Sequence, residues 1–274
     1  MTPASPSSSR TCIDATGRVA PGPLDPPATL GKSSHNANSR NLKIGAPAVC
    51  AMLLFCGVIA SQASTSAAAD PSSDRYSRAG WGSIGALNPE VFDLALGAAS
   101  CAERAGDVSA LRTLTVIDYS KPSTSKRLWV YDLEKKTLLF EELVAHGSGS
   151  GGNLATAFSN LDDSHQTSLG LFVTGQPYTG QNGYSLRLDG LDEGFNDRAR
   201  ERAIVVHGAP YVDEGLARAQ GRLGRSWGCP AVRAGVAREL IDTVRGGTLL
   251  FAYYPDPAWL ASSRYLTCDA NKRR

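Results

Sequence analysis

Between residues 110 and 256 the apolar and β-branched residues fall into short runs separated by glycine-rich or polar breaks, and nothing else limits the fold as much. Leu114–Tyr119, Arg127–Tyr131, Thr137–Ala145, Gly170–Thr174, Tyr184–Leu188, Ala203–His207 and Thr248–Tyr254 each read as a strand. The polar Asp132–Lys136 stretch between the second and third has the composition of a hairpin turn. A doubly wound parallel sheet needs a helix between successive strands, and most of these gaps hold none. The pattern therefore predicts a mainly β domain, a sandwich or barrel with a few peripheral helices. One helix is expected ahead of the strands. Asn88 is its cap, Pro89 its first position and Glu90 its first-turn acid; Val91, Leu94, Ala95, Ala98 and Cys101 follow at helical spacing, and Gly106 closes it. A second helix is expected over Gly235–Arg245, ending at Gly246-Gly247.

The N-terminal quarter is of another kind. Residues 1–40 are rich in Ser, Pro, Ala and Asn with no apolar period, which reads as a disordered leader. Arg40 and Lys43, the apolar run Ile44–Ala60 and the exit Ala67-Ala68-Ala69 then make up a secretory signal, with cleavage expected after Ala69. The alternative is a retained anchor, although the run falls short of the roughly 20 residues of a spanning helix. Membrane contact is expected only through an uncleaved signal, and the mature protein in the periplasm or cell envelope. The expected organisation is leader and signal over 1–69, linker over 70–86, N-terminal helix over 87–109, the strand-rich domain over 110–256 and C-terminal extension over 257–274.

The net charge of +2 belongs to the leader: residues 1–69 hold five basic and two acidic side chains, leaving 23 basic against 24 acidic. A neutral body carries no footprint for a phosphate backbone, so nucleic acid is not an expected partner. Export also changes how the six cysteines are read. Cys12, Cys50 and Cys56 fall in the leader; Cys101, Cys229 and Cys268 remain, an odd set in an oxidising compartment. The simplest assignment bridges Cys101 to Cys268 and leaves Cys229 for chemistry, with other pairings open.

The chemistry is expected in Gly224-Arg225-Ser226-Trp227-Gly228-Cys229-Pro230-Ala231-Val232. A cysteine between Gly and Pro sits at a sharp bend, with the Gly228 and Cys229 amides placed to meet a substrate oxygen. Acyl transfer needs a thiolate to attack the carbonyl and preorganised N–H donors for the oxyanion. Free cysteine is mostly protonated at neutral pH and needs a base. His207, at the tip of the Ala203–Val206 run and next to Gly208, is best placed to supply it; His146 is its rival, His165 reads as a solvated loop residue and His35 lies in the leader. Read without further context, Cys229 could equally be a buried small residue or half of a disulfide.

Several ordered motifs resemble one known family. Ser168-Leu169-Gly170-Leu171-Phe172, Tyr184–Leu191, Gly194-Phe195-Asn196-Asp197, Arg202–Gly208 and Gly224–Val232 together are similar to the murein L,D-transpeptidase catalytic domain, of the YkuD-like cysteine transpeptidases, over about Leu111–Tyr254. The resemblance implies a fold of that type and a Cys229 nucleophile with His207 as base, Ser226 orienting the pair and the Gly228 N–H serving the oxyanion. It implies action on peptidoglycan stem peptides: Cys229 displaces the terminal D-amino acid, and an amine from a second stem resolves the thioester into a cross-link. Water in place of the amine would make a carboxypeptidase, and a structural cysteine would leave an exported wall-binding module. Carbapenem acylation of Cys229 is a further implication, and no cofactor is implied. Family members often carry His where Trp227 stands and Arg where Ala231 stands. Arg225 or Arg233 could take over a substrate carboxylate, while Trp227, Gly208, Tyr184 and His146 are the remaining candidates for the substrate groove, with Tyr178 and Tyr211 nearby.

Other signals point elsewhere less firmly. Gly147–Gly152 satisfies G-x-G-x-x-G but lacks the helix that a dinucleotide site requires, so a flexible loop, one that could close over substrate, is expected and no nucleotide. Asp189, Asp192, Glu193 and Asp197 lack the spacing of a calcium loop and read as a solvated face or as contacts ordering the Gly190–Asn196 turn. The histidines lack any zinc-hydrolase spacing, so no metal is expected.

Overall fold

The structure, a computed structural model, describes residues 75–109 and 111–268. The expected leader and signal, with Cys12, Cys50, Cys56 and His35, lie outside the described residues. Among the described residues no helix is long and apolar enough to cross a membrane.

The N-terminal helix α1 (Pro89–Ala105) forms for the reasons its sequence supplies. The Asn88 side chain accepts the Glu90 N–H, Pro89 starts the first turn, and Gly106 at φ 78° turns its amide back to Ala102 and Glu103. Its apolar stripe, including Phe92, Ala95, Leu96 and Ala99, is fully buried. Burying side chains such as Phe92 and Leu96 stabilises by about 1.5–3 kcal/mol each.

The strands are β1 (Thr113–Asp118), β2 (Leu128–Asp132), β3 (Thr137–Glu142), β4 (Val144–Ala145), β5 (Gly170–Gly180), β6 (Gly183–Gly190), β7 (Val205–Ala209), β8 (Ala231–Arg233) and β9 (Leu249–Tyr253). They make one sheet in the order β3-β2-β1-β9-β5-β6-β7-β8-β4. The two edge strands, β3 and β4, are separated in the chain only by Leu143, so the sheet curls until its edges nearly meet. The mainly β expectation holds in this form, a nearly closed sheet. β1 and β9 run parallel, as do β7 and β8. The β7–β8 connection carries the short helix α2 (Glu214–Gln220), and the helix α3 (Ala234–Val244) follows β8, burying Ala237, Leu240, Ile241 and Val244. Gly208 on β7 is required by this packing, since a Cβ there would lie 2.8 Å from the Ala237 Cβ.

Several boundaries differ from the sequence reading. The strands expected at Gly170–Thr174 and Tyr184–Leu188 are parts of the two arms of one long hairpin, which closes where Gly180 pairs with Gly183. Pro177, which has no N–H for a ladder, sits where the register shifts, and it masks the strand in the sequence. The 75–86 part of the expected linker is docked: Trp81 packs edge-on to Phe92 at 5.0 Å and to Tyr131 at 5.4 Å, and Tyr131 Oη donates to Ile84 O. Three short helices were not foreseen, namely α2 (Glu214–Gln220), α4 (Pro257–Ser262) and α5 (Arg264–Thr267). The C-terminal extension joins the core through Trp259, fully buried against Phe251 at 5.5 Å.

Candidate active site

Three segments meet around Cys229: residues 146–151, residues 164–168 and the turn 224–229. Ser226 N donates to His146 O at 3.0 Å, Ser148 N to Ser226 O at 2.7 Å and Gly149 N to His165 O at 3.0 Å. Thr167 Oγ1 accepts the Gly147 N–H at 2.9 Å and donates to Gly228 O at 3.3 Å. Glycine makes this approach possible. A Cβ on Gly147 would lie 2.2 Å from His165 O and 2.9 Å from Gly228 Cα, and one on Gly228, at φ 114°, 2.7 Å from Gln166 O. The Gly147–Gly152 stretch is therefore an ordered packing element, with a 3₁₀ turn at Ser148–Ser150, and the expected flexible loop is corrected.

Within the turn, Ser226 Oγ donates to Cys229 O at 2.6 Å and accepts the Gly228 N–H at 3.1 Å. Ser226 thus fixes the backbone that carries the cysteine. The Gly228 amide is engaged there, which corrects the expectation that it faces a substrate oxygen. Cys229 is fully buried, with Sγ 3.3 Å from Val205 N and 3.7 Å from Ala203 O. The expected state of the cysteines is reversed: Cys229 is disulfide-bonded, whereas Cys101 and Cys268 are free thiols.

His207 lies on β7 opposite Ala231, two residues past Cys229 on the neighbouring strand. Its Nδ1 is 3.0 Å from Gly208 O. A carbonyl only accepts, so Nδ1 carries the proton and Nε2 keeps the lone pair. That Nε2 is buried with no hydrogen-bond partner, and burial holds the imidazole pKa below its ordinary value. His207 is therefore a neutral, acceptor-ready imidazole.

His146 is the opposite case. Arg127 Nη2 lies 2.7 Å from its Nδ1. A guanidinium only donates, so Nδ1 must accept and the proton sits on Nε2. Burial first, and the Arg127 charge second, push this histidine down to about 3, against contacts with the Gly151 and Gly152 backbone. Its lone pair is committed to Arg127, so it has no capacity as a base.

The sequence matches the L,D-transpeptidase catalytic domain family model over residues 84–253. The chain belongs to this family. No curated protein sequence matches it. Among solved structures it is similar to an L,D-transpeptidase from Mycobacterium smegmatis (14% identity, TM-score 0.34, 53% of this chain and 60% of that one). It is also similar to L,D-transpeptidase 1 of Mycobacterium tuberculosis (13% identity, TM-score 0.31, 53% and 63%). A third is an L,D-transpeptidase of Xylanimonas cellulosilytica (18% identity, TM-score 0.31, 53% and 62%). The chain spans about three fifths of the length of these structures.

The other expected residues of this L,D-transpeptidase-family domain divide by position. Trp227, about one-third exposed, stacks on His165 at 4.8 Å and an interplanar angle of 5°, so the pair forms a surface wall beside the cysteine turn. His165 is thereby corrected from a solvated loop residue. Arg225 Nη1 donates to Gly151 O at 2.8 Å and tethers the glycine turn. Arg233 is held bidentately by Glu142, at 2.8 and 2.6 Å, and is not poised for a substrate carboxylate. Tyr184 is outside the site: its hydroxyl donates to Asp242 on α3 at 2.6 Å and its ring carries Arg238. Gly208 contributes its carbonyl to His207 and its bare Cα to helix packing, not to a substrate groove. Tyr178 lies under Arg187 at 4.2 Å, and Tyr211 packs against Gly224 at the start of the turn. In the acidic run, Asp192 is buried and accepts the Leu171 N–H, Asp197 orders Gly194, and Asp189 pairs with Arg200. Among the described residues no cluster has the makings of a metal site.

The sequence reading missed Arg127 and Thr167. Arg127 is fully buried, gives two hydrogen bonds to Val144 O and one to Lys121 O, and lies over the Tyr119 ring. An arginine opening a hairpin strand carries no sequence mark that separates this from a solvated position.

Proposed function

We propose that this domain is a peptidoglycan L,D-transpeptidase acting by cysteine acyl transfer, with Cys229 in its thiol form as nucleophile and His207 as base. The observation that carries this is the buried, unpartnered His207 Nε2, with its tautomer fixed by Gly208, one strand away from a cysteine turn in a chain of this family. A base must be unprotonated at working pH, and burial keeps His207 so. Sγ lies 3.3 Å from the amide of Val205, two residues before His207 on the same strand.

In this reading Cys229 Sγ attacks the carbonyl carbon of the third stem residue while His207 takes the thiol proton. Collapse of the adduct expels the terminal D-amino acid, whose amine receives that proton, and leaves a thioester. An amine of a second stem then attacks the thioester and forms the cross-link; water yields the tripeptide instead. Ser226 holds the turn, and the Trp227–His165 wall borders the entry. A peptidoglycan substrate accords with export to the periplasm or cell envelope, as the leader suggests, and carbapenem acylation of Cys229 belongs to the same proposal.

The test uses reduced protein and the rate of iodoacetamide labelling at Cys229. General-base assistance is worth on the order of 100-fold or more, so His207→Ala should slow labelling, and carbapenem adduct formation, by about that factor. Equal rates in the two proteins would remove His207 from the role.

A further inference from the structure

Two cysteines lie outside the active site and are used by nothing described so far. Cys101 is on the buried face of α1, and Cys268 follows α5; both are free thiols. They belong to helix surfaces that pack on each other. Arg104, one turn after Cys101, donates from Nη2 to Cys268 Sγ at 2.6 Å. Arg264, one turn before Cys268, presents its carbonyl to Cys101 Sγ at 3.7 Å. The contacts cross, so each sulfur reaches the helix turn that carries the other. Cys268 also lines a cleft of about 700 Å³ between the two helices, together with Leu94, Ala98, Arg104 and Leu266.

We propose that Cys101 and Cys268 form a thiol–disulfide exchange site, in which Cys268 accepts a small disulfide from the cleft and Cys101 resolves it, closing a bridge between α1 and the C-terminal helix. The chemistry balances with a disulfide such as oxidised glutathione as oxidant. Cys268 gives up its proton and its Sγ attacks one glutathione sulfur, the glutathione S–S bond breaks, and one glutathione leaves as the thiol with that proton. Cys101 then loses its proton and attacks Cys268 Sγ, the mixed disulfide breaks, and a second glutathione leaves with that proton. Two protein thiols are oxidised and one disulfide is reduced to two thiols.

The order of events follows from the environments. Cys268 is half-buried beside the cleft, within reach of a solute. Cys101 is nearly enclosed, and burial, then the hydrogen bond and charge of Cys268, push its thiol up to about 12.

The experiment incubates the full chain, first reduced, with oxidised glutathione, and maps tryptic peptides by mass spectrometry. Wild type should yield residues 79–104 linked to residues 265–272, with the mass lower by two hydrogens. Cys101→Ser should instead trap glutathione on Cys268, and Cys268→Ser should leave Cys101 unmodified. Glutathione retained on Cys268 in wild type, with Cys101 still reduced, would overturn the proposal, as would modification of Cys101 in Cys268→Ser. Neither readout depends on activity, so the result stands apart from the role given to Cys229.

Discussion

The buried His146–Arg127 pair should make the domain acid-sensitive in a way that one substitution removes. In the folded chain His146 titrates at about 3, whereas an ordinary histidine titrates near 6.5. A histidine whose folded value is depressed binds its proton first in the unfolded state. Its contribution is fully present above the unfolded value and is lost as pH falls from there towards the folded value. Each pH unit inside that window costs about 1.4 kcal/mol, so the whole window is worth on the order of 5 kcal/mol. Between about pH 7 and about pH 5, unfolded-state protonation at this one site should cost about 2 kcal/mol. The assay is urea unfolding of wild type and His146→Gln at both pH values, comparing the change in stability and not its absolute level. Wild type should lose about 2 kcal/mol more than the variant over that interval. His207 is shifted in the same direction but is present in both proteins, so it cancels. Equal losses would show that His146 takes up a proton in the folded state, and the commitment of its Nδ1 to Arg127 would be wrong.

Three further outcomes are expected. Gly147→Ala should destabilise by about 1–3 kcal/mol in urea unfolding, because its Cβ meets backbone on two sides, His165 O at 2.2 Å and Gly228 at 2.9 Å; an unchanged midpoint would refute the packing role of the glycine turn. Thr167→Val should cost about 1–3 kcal/mol by leaving the buried Gly147 N–H without its acceptor, and a neutral result would show that the threonine does not join the two loops. The pH profile of Cys229 labelling in reduced protein should keep its His207-dependent acid limb below the ordinary histidine value of 6.5, since burial lowers that pKa; a limb at or above it would contradict a buried, neutral imidazole.

What could be read from the sequence, and what could not, follows from the range of the interactions. The start and end of α1 rest on Asn88, Pro89 and Gly106, which act within a turn of themselves and so show in the sequence. The β2–β3 turn is equally local. β8 has only three residues, Ala231–Arg233, and exists because β7 and β4 flank it, which no local pattern announces. Gly147 reads in the sequence as part of a flexible loop and Gly228 as part of a sharp bend; the partner of both is the segment 165–166, distant in the chain. The same holds at the candidate site. Cys229 and His207 stand out as candidates because residue type and neighbours single them out, whereas Arg127 and Thr167 act only through tertiary contacts. Tyr184 was misplaced because strand alternation decides its face, and its hydroxyl goes to Asp242 on α3.

The central claim is acyl transfer at Cys229, and mass spectrometry of reduced protein incubated with a disaccharide-tetrapeptide tests it most directly. Wild type should produce a cross-linked dimer lacking one terminal D-amino acid, and Cys229→Ala should produce none. Tripeptide without dimer would keep Cys229 as nucleophile but make water the acceptor. The same products from Cys229→Ala, or no conversion by folded wild type with a titratable Cys229 thiol, would contradict the account.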